Sequence, residues 1–360
     1  MSFNNPHLSH QEPFEVDPFL NSCMERYGLS LGGWNKLATP LTYEHYQNWI
    51  ENGCHGEMSY LERHSPFKQN PQSRYPFMRS YISLAQSYFP QPPDSERFKK
   101  PNSDLRIALY AQGEDYHQWF QEKLKKICDE LSERFRGEIF LPATDSQPLL
   151  ERDMAYRAGL GWFGKNSCLI HPKKGSLFFL GEILTSLDIE ISQTPVPDFC
   201  GTCTKCLDIC PTQALSVPKK LDARKCISYW TIESKSIPPL ELRDKISDHF
   251  FGCDLCQTVC PWNERLFKGR LETRKIREYS REDRLRLIEF FRKLLSSSDQ
   301  EIKDQWDLSP LLRAKGFGLK RNALIIIGNL KLHELSEDLE KLQDPRLEEL
   351  KGWTKKKLDA

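Results

Sequence analysis

Cysteine spacing constrains this chain more than any other feature of its sequence. Eight of its twelve cysteines lie in residues 200–211 (CGTCTKCLDICP), in residues 253–261 (CDLCQTVCP), or between the two runs at Cys226. The first run has the C-x2-C-x2-C-x3-C-P spacing that binds [4Fe–4S] clusters, in which the fourth cysteine ligates the other cluster of the pair. The pattern therefore predicts two [4Fe–4S] clusters and a role in electron transfer.

The crossing of the fourth cysteine divides the eight thiols into two sets of four. Set one is Cys200, Cys203, Cys206 and Cys260, and set two is Cys210, Cys226, Cys253 and Cys256. Cys226 supplies the ligand that the second run lacks. Pro211 and Pro261 fit this assignment, because proline pushes the preceding residue into an extended conformation and so ends each ligand run.

Two other uses of the cysteines compete with clusters. Zinc also accepts four thiolates, but zinc ribbons usually contain separated C-x2-C pairs. Disulfide frameworks belong to short secreted domains. This chain has 360 residues, and its first residues, MSFNNPHLSHQEPFEVDPF, show neither a secretory pattern nor a twin-arginine signal. We therefore favour clusters over zinc and over disulfides.

Length and composition indicate a multidomain globular protein. A chain of 360 residues predicts two or three domains, and 39% hydrophobic and 11% aromatic residues suffice for real cores. Runs of 18 or more apolar residues are absent, so we expect no transmembrane helix and no membrane partner. Thiols that must stay reduced predict the cytoplasm.

The pattern of apolar residues predicts an α+β fold. Short strand-like runs occupy residues 80–89, 105–111, 138–141 and 177–184. An amphipathic helix is predicted from Tyr116 to Phe135, where apolar residues recur every three or four positions. A Pro-rich connector at residues 193–197 separates this unit from the cysteine-rich unit. The predicted domains are residues 1–193, 194–265 and 266–360, the last one helical.

Charge is balanced over the whole chain, with 51 Lys and Arg against 50 Asp and Glu. Residues 268–293 nevertheless contain ten basic and five acidic residues, and residues 355–357 are all lysine. Such stretches either follow a phosphate backbone or form a solvated helix face. By itself the charge pattern favours the solvated face.

Two short motifs resemble cofactor signatures without matching them. Residues 159–164 (GLGWFG) fit G-x-G-x-x-G, but the preceding segment has helical rather than strand composition. We therefore expect a helix cap and a tight turn there. Asp115-Tyr116-His117 begins like the D-x-H-x-x-G signature of cobalt-ligating histidine, but position 120 is Phe. A helix N-terminus is the preferred interpretation.

Two further features have only a structural interpretation at this point. Asp145 follows a strand-like segment, and alone it would be a turn aspartate or a helix cap. The four remaining cysteines have no ligand spacing and are predicted to be small buried hydrophobes. They are Cys23, Cys54, Cys128 and Cys168.

Several segments together resemble the epoxyqueuosine reductase family. They are residues 58–64 (MSYLERH), 110–117 (YAQGEDYH), 151–166 (ERDMAYRAGLGWFGKN), 228–233 (SYWTIE) and 260–263 (CPWN), with both cysteine runs. The resemblance covers most of residues 20–330. Residues 320–329 (KRNALIIIGN) are also similar to one HEAT-type repeat, and further repeats of longer family members are missing.

The resemblance implies a reaction, cofactors and a domain plan. The family reduces the epoxide of epoxyqueuosine in the tRNA anticodon loop to the alkene of queuosine, using cobalamin and two [4Fe–4S] clusters. The implied fold is a mixed-sheet cobalamin-binding domain, a ferredoxin-like two-cluster domain and a short HEAT-like helical tail. An external low-potential electron donor is expected, as is a monomeric protein. With tRNA as substrate, the basic stretch becomes a candidate backbone-binding surface, and the reacting base would be splayed into the pocket.

The resemblance also assigns roles to individual residues. Asp145 matches the family's aspartate beside cofactor and substrate and is the expected proton donor, which requires burial that raises its pKa. No protein histidine is expected to ligate cobalt. The expected cobalamin-lining residues are Asp145, Arg152, Lys165, Asn166, Cys168, Ile170, Ser176 and Ser228.

Two rival functions remain at this stage. A reductive dehalogenase-like enzyme shares the corrinoid and two clusters, but such enzymes usually carry a twin-arginine signal. A ferredoxin-type carrier needs no domain the size of residues 1–193 ahead of its clusters. Corrinoid binding and conversion of epoxyqueuosine in tRNA distinguish the three possibilities.

Overall fold

The structure is a computed structural model that describes residues 16–89, 105–190, 194–271, 273 and 277–360. The start of the predicted connector at residue 193, and Arg274 and Lys275 of the basic stretch, lie outside the described residues. No helix in the described ranges is long and apolar enough to span a membrane.

The first half of the chain alternates helices with short strands. Its elements are α1 (Val16–Tyr27), β1 (Leu31–Lys36), α2 (Tyr43–Glu51), α3 (Ser59–Gln69), α4 (Pro71–Arg74), β2 (Ser80–Ser87), β3 (Arg106–Ile107), α5 (Tyr116–Arg134), β4 (Phe140–Ala143), α6 (Glu151–Arg157), β5 (Trp162–Phe163), β6 (Leu169–Ile170) and β7 (Phe178–Thr185).

The second half is mostly helical. It contains α7 (Lys205–Asp208), α8 (Leu240–Ile246), β8 (His249–Phe251), α9 (Leu255–Thr258), α10 (Pro261–Glu264), α11 (Arg281–Ser296), α12 (Asp299–Gln305), α13 (Lys315–Leu330), α14 (Ser336–Lys341) and α15 (Glu348–Asp359). Short 3-10 turns join several of these helices, and Tyr229–Glu233 forms a π-helical turn after Cys226.

The main sheet has four strands in the order β1-β2-β7-β4. Every neighbouring pair in it is antiparallel. The α+β class is therefore confirmed, but the expectation of a mixed main sheet is wrong, because its strands are joined without parallel crossovers. Parallel pairing occurs only in the small β3–β8 sheet, among the sheets of the described residues.

Helices cover both faces of the main sheet. Side chains alternate along each strand, so Ile82 and Ile183 face α5 on one side. Tyr81 and Leu184 face α6 on the other side. This packing places the end of β4, and therefore Asp145, at an edge of the sheet between α5 and α6.

The turn after α6 has the predicted structure. Ala158 ends the helix, and Gly159 follows with a φ of 78°, which glycine adopts without steric cost. An added Cβ at Gly161 would lie 2.3 Å from the carbonyl oxygen of Ile170. Residues 159–164 therefore form a helix cap and a closely packed turn, as the sequence predicted.

A third apolar cluster joins the segment between the cysteine runs to the carboxy-terminal helices. Trp230 and Phe250 pack there with residues of α11 and α13, and Ile107 of β3 belongs to the same cluster. Apolar packing thus crosses both predicted domain boundaries, at residues 193 and 265. The three-domain division remains a prediction.

Several basic side chains of residues 268–293 form hydrogen bonds or ion pairs with other parts of the protein. Arg284 donates to the carbonyl oxygens of Leu330 and Lys331, and Arg292 pairs with Asp338 at 3.1 Å. Lys355 and Lys357 also pair with acidic side chains. These contacts hold α11 and α15 in place, so the described part of the stretch is largely a paired helix surface.

Candidate functional site

Set one lines a single cavity. Cys200, Cys203, Cys206 and Cys260 all border a space of about 260 Å³, together with the side chains of Phe199 and Trp262. Burial raises the pKa of the Cys206 thiol to about 11, and Cys260, Cys200 and Cys203 act in the same direction. The structure therefore brings together the four cysteines that the crossing rule assigned to one cluster.

The cysteines of set two also lie near one another. Burial raises the pKa of the Cys226 thiol, and Cys210 acts in the same direction. Burial likewise raises the pKa of the Cys253 thiol, with a further contribution from Cys226. The pKa of the Cys256 thiol is also raised, first by burial and then by nearby thiols that include Cys253. Bound iron would reverse these shifts, because a coordinating thiol is deprotonated.

The two sets lie side by side. Helix α7, which carries Cys206, contacts α9, which carries Cys256. Asn166 lines the set one cavity and donates from its side-chain amide to the backbone oxygen of Cys256 at 3.0 Å. All twelve cysteines are free. Within the described residues, no group of three or more His, Cys, Asp or Glu side chains is arranged to hold a single metal ion.

Outside the two sets, the remaining cysteines largely follow the prediction. Cys23, Cys54 and Cys128 are buried. Cys168 is only partly buried and lies close to both sets. Burial raises its pKa to about 11, against the opposing charge of Arg152, and Cys260 and Cys206 act with burial.

A second site forms around Asp145, which follows β4. The Tyr116 hydroxyl donates to Asp145 Oδ2 at 2.6 Å, and His117 Nε2 lies 2.7 Å from Asp145 Oδ1. His117 Nδ1 lies 2.5 Å from Asp115 Oδ1. Asp115 caps α5 by accepting from the His117 backbone N–H, and the Tyr116 ring stacks on Phe179 with centroids 4.0 Å apart. The imidazole is thus held between two carboxylates.

The charge state of Asp145 differs from the expectation. Its side chain is 43% exposed. Partial burial acts to raise its pKa, but the hydrogen bonds from His117 and Tyr116 outweigh burial, and the pKa is lowered from 3.8. Hydrogen bonds to Asp115 and Asp145 raise the pKa of His117 to about 10. Both directions favour an ionised Asp145 beside a protonated His117, whereas the expectation was a raised pKa at Asp145. The role of Asp145 as proton donor stays a prediction.

The carboxy-terminal half reaches this site. Arg313 forms two hydrogen bonds with Glu233, at 2.9 and 2.8 Å, and lies 5.9 Å from the Tyr60 ring. Its charge contributes to the lowered pKa of Asp145. The Asp115 backbone N–H donates to the carbonyl oxygen of Leu308 at 2.6 Å. The site is therefore built from both halves of the chain.

The expected cobalamin-lining residues fall into several groups. Lys165 donates to the carbonyl oxygens of Gly201 and Cys203, and Ile170 lines the set one cavity. Ser228 accepts from the Cys253 backbone N–H at 3.0 Å. Ser176 bonds to Asn263, and Arg152 donates to the carbonyl oxygen of Ser167 at 2.5 Å. These side chains support the cysteine loops, and their contact with a corrin stays a prediction.

Polar atoms without partners lie in the same region of the chain. Glu151 Oε1 and Ser167 Oγ are buried and accept or donate no hydrogen bond. They flank Arg152 and Cys168 in sequence. A corrin carries acetamide and propionamide groups at its rim, which both donate and accept hydrogen bonds, so these atoms fit such a ligand.

His117, Tyr116 and Arg313 are not among the predicted site residues. The sequence signal that points to the first two is a histidine next to an acidic and a phenolic residue in one helical turn, Asp115-Tyr116-His117. The sequence around Arg313 contains no such signal, because only the tertiary fold brings its charge near Asp145.

Comparison with known proteins decides the family. A model described as 4Fe-4S double cluster binding domain matches residues 199–263, and one described as epoxyqueuosine reductase QueG, DUF1730, matches residues 68–146. The epoxyqueuosine reductase of Pseudomonas aeruginosa is 38% identical over 326 residues, 89% of this chain and 88% of that protein. This chain belongs to the epoxyqueuosine reductase family. The prediction of two [4Fe–4S] clusters is confirmed, since the first match spans all eight cysteines.

Other members of the epoxyqueuosine reductase family agree over most of the chain. The Escherichia coli enzyme is 32% identical over 350 residues, covering 95% of this chain and 90% of its own length. A crystal structure of an epoxyqueuosine reductase with an epoxyqueuosine-modified tRNA-Tyr stem loop superposes with a TM-score of 0.79, at 26% identity, covering 96% of this chain and 92% of that one. The Bacillus subtilis enzyme, with its catalytic aspartate loop swung out of the active site, gives a TM-score of 0.78 at 27% identity, covering 96% and 90%.

Proposed function

We propose that this protein reduces the epoxide of epoxyqueuosine in a tRNA anticodon loop to the alkene of queuosine. Family membership supports the proposal, and a related structure holds an epoxyqueuosine-modified tRNA stem loop. The balanced reaction takes one epoxide, two electrons and two protons, and yields one alkene and one water. The protein must therefore deliver electrons singly and protonate a leaving oxygen.

The contact between His117 and Asp145 is the observation that supports the proposal. His117 Nε2 lies 2.7 Å from a half-exposed carboxylate oxygen, so a protonated His117 can pass its proton to Asp145, which then gives it to the leaving oxygen. Asp145 then acts as the group that faces the leaving oxygen, and His117 as its proton store. Tyr116 fixes the second carboxylate oxygen and so orients the first.

Electrons would reach the site from the cysteine-rich segment. Tyr110 is partly buried and packs against the apolar cluster that also includes Cys226 and Cys253. The charges of Asp254, which lies between Cys253 and Cys256, and of Asp145 both raise the pKa of Tyr110. This tyrosine therefore lies in the region between set two and Asp145. The [4Fe–4S] clusters would supply single electrons, and bound cobalamin would supply a cobalt centre that can be held in a low-valent state.

The residues proposed to hold cobalamin are those between Asp145 and Ser228 that surround the cysteine loops. Asp145, Arg152, Lys165, Asn166, Cys168, Ile170, Ser176 and Ser228 make up this set, with no histidine ligand to cobalt. The same proposal includes a cobalamin-binding domain, a HEAT-like tail, a monomeric protein and a cytoplasmic setting that keeps the thiols reduced.

The decisive experiment is turnover on modified tRNA. Protein reconstituted anaerobically with iron, sulfide and cobalamin is incubated with epoxyqueuosine-containing tRNA and reduced methyl viologen. Mass spectrometry of the nucleosides is expected to show loss of one oxygen atom from epoxyqueuosine. Protein that holds both clusters and cobalamin but leaves the nucleoside mass unchanged would contradict the proposed function, and failure to bind cobalamin would favour a simple electron carrier.

A further inference from the structure

Four surface segments surround the cysteines of set one. They are residues 171–175, 197–208, 216–220 and 261–266, and we call their exposed side the donor face. Contacts hold the segments together: Arg265 donates to the carbonyl oxygen of Pro172, and Lys219 pairs with Asp198 at 2.6 Å. The residues beside Cys203, namely Thr202 and Thr204, are exposed. Set one therefore lies directly beneath this surface.

Solvent exposure of the thiols alone does not distinguish the two sets, because all four cysteines of set two are partly buried, like Cys200, Cys203 and Cys206 of set one. The neighbouring residues differ: Cys203 lies between exposed Thr202 and Thr204, whereas Cys256 follows buried Leu255. Set one also borders the cavity, whose lining includes the exposed residues Phe199 and Arg265. Because an electron carrier must approach a cluster closely, the cavity makes set one the candidate entry point for electrons from outside.

The donor face has an apolar centre. The side chains of Phe199, Val217 and Leu266 are 49%, 51% and 39% exposed, respectively, which is unusual for large hydrophobic residues. Phe199 and Trp262 also line the cavity of set one. Large exposed aromatic and aliphatic side chains on the segments of one face are typical of a protein interface.

The rim of the donor face is basic. Its cations are Lys173, Lys174, Lys205, Lys219, Lys220 and Arg265. The same segments contain three carboxylates, Asp198, Asp208 and Glu264. Asp198 pairs with Lys219 and Glu264 with Lys205. Among the described ion pairs, none involves Lys173, Lys174 or Lys220, so their charge is available to a partner.

We infer that the donor face is the docking surface for a small acidic one-electron carrier protein. An apolar centre with a positive rim suits a brief, electrostatically steered encounter of the kind that electron-transfer partners make. In each encounter the reduced carrier loses one electron and a set one cluster gains it, going from the 2+ to the 1+ state. Two encounters supply the two electrons of one turnover. The need for such a donor rests on the proposed function.

An acidic carrier fits this surface better than tRNA does. A phosphate backbone needs basic side chains but no exposed apolar centre, and the Asp145 site, where the nucleotide must react, is built from other segments. The donor face lies over the cluster cavity instead. Its chemistry therefore matches a protein that brings electrons.

The test measures cluster reduction without tRNA. The variant Lys173→Glu/Lys174→Glu/Lys220→Glu is mixed with reduced flavodoxin in a stopped-flow spectrometer, and bleaching of the cluster absorbance gives the rate. We expect a decrease of about tenfold or more relative to wild type at low salt, because steering raises association rates by this order. Lys125→Glu/Lys126→Glu/Lys303→Glu changes the same number of exposed lysines elsewhere and is expected to keep the wild-type rate.

Three further measurements make the result decisive. The wild-type rate with flavodoxin is expected to fall as ionic strength rises, and turnover driven by dithionite and methyl viologen is expected to be equal in all three proteins. Affinity for the tRNA stem loop is expected to be unchanged. A flavodoxin rate equal to wild type in the donor-face variant, a salt-independent wild-type rate, or a selective loss of tRNA affinity would each overturn the inference. Loss of dithionite-driven turnover in wild type would instead count against the proposed function.

Discussion

At Asp145, two hydrogen-bond donors and partial burial act on the charge of one carboxyl in opposite directions. Burial favours the neutral acid, whereas His117 and Tyr116 favour the carboxylate, and the donors prevail. A carboxylate cannot donate a proton, so its catalytic use requires a proton from its neighbour. His117 and Asp145 therefore act together as one acid. The proton is held by the His117 imidazole before the reaction and by the Asp145 carboxyl only during its transfer to the substrate.

Asp145→Asn tests the carboxylate half of this pair. The amide keeps the size of the side chain and removes its ability to carry a proton, so turnover is expected to fall by about 10²- to 10⁴-fold. Cluster absorbance and cobalamin binding are expected to be unchanged. Ser146→Ala, a change at the exposed neighbouring position, serves as the control. A wild-type single-turnover rate in Asp145→Asn would remove this residue from the mechanism.

His117→Gln tests the proton store through pH dependence. The pKa of His117 is raised to about 10, so the imidazolium persists at neutral pH and is lost only as the pH rises through that value. Wild-type single-turnover rates are therefore expected to stay level from neutral pH and to fall near pH 10. In His117→Gln the rate is expected to be lower throughout and to lack this alkaline decline. A decline that persists unchanged in the variant would assign it to another group.

At the scale of single elements, the second cysteine run depends on one buried amide. Asn263, at the end of the second run, is fully buried. Its Oδ1 accepts from the Ser176 backbone N–H at 2.8 Å, and its Nδ2 donates to the carbonyl oxygen of Gln257 at 2.8 Å. This residue fixes α9 and α10 against the hairpin that precedes β7.

Asn263→Ala is expected to leave the Ser176 N–H and the Gln257 carbonyl oxygen buried without partners. Each such group costs about 1–3 kcal/mol, so the free energy of unfolding is expected to fall by roughly 2–6 kcal/mol. Anaerobic denaturant titration followed by circular dichroism measures the change. Asn52→Ala removes an exposed amide that donates to the Asn48 carbonyl oxygen, and its effect is expected to be within about 0.5 kcal/mol. Equal midpoints for the two variants would contradict the role of Asn263.

The elements differ in how far sequence predicted them. Helix α5 and strands β2 and β7 were found because their apolar periodicity is carried by the chain itself. Strand β1 (Leu31–Lys36) was missed because it contains mainly glycines and polar residues. Its extended conformation is stabilised by antiparallel pairing with β2 and not by its own composition. The cysteine sets were predictable from ligand chemistry, whereas the Asp145–His117 contact joins residues whose spacing in sequence carries no pattern.

At the scale of the whole molecule, the proposed electron entry and the proposed proton supply lie on different residues. The donor face covers set one, and set two adjoins set one through α7 and α9. The Asp145 site is built instead from the end of β4 and the start of α5. Under the proposed function, electrons would enter at the donor face and protons would be supplied at His117, so the carrier protein and the tRNA would occupy different surfaces.

Arg321 tests whether the carboxy-terminal helices belong to this assembly. Its fully buried guanidinium, on α13, donates to the carbonyl oxygens of Ser234 and Ser236 at 2.5 and 3.0 Å, and also to that of Trp230. These oxygens lie in the segment that follows Cys226. Arg321→Met removes the donors, and because a buried polar group left unpaired costs about 1–3 kcal/mol, the loss of stability is expected to be at least about 3 kcal/mol.

The important measurement is which part of the protein unfolds first in Arg321→Met. If α13 and the cysteine-rich segment form one cooperative unit, heating Arg321→Met anaerobically is expected to release the cluster absorbance and the helical circular dichroism at one shared, lowered midpoint. Arg281→Met, at an exposed arginine of α11, is expected to unfold like wild type. Helix loss that precedes cluster loss would instead support an independent carboxy-terminal domain beginning near residue 266. A shared midpoint means that the helical region holds the Cys226 ligand segment in place, because the carbonyl oxygens bound by Arg321 are part of it.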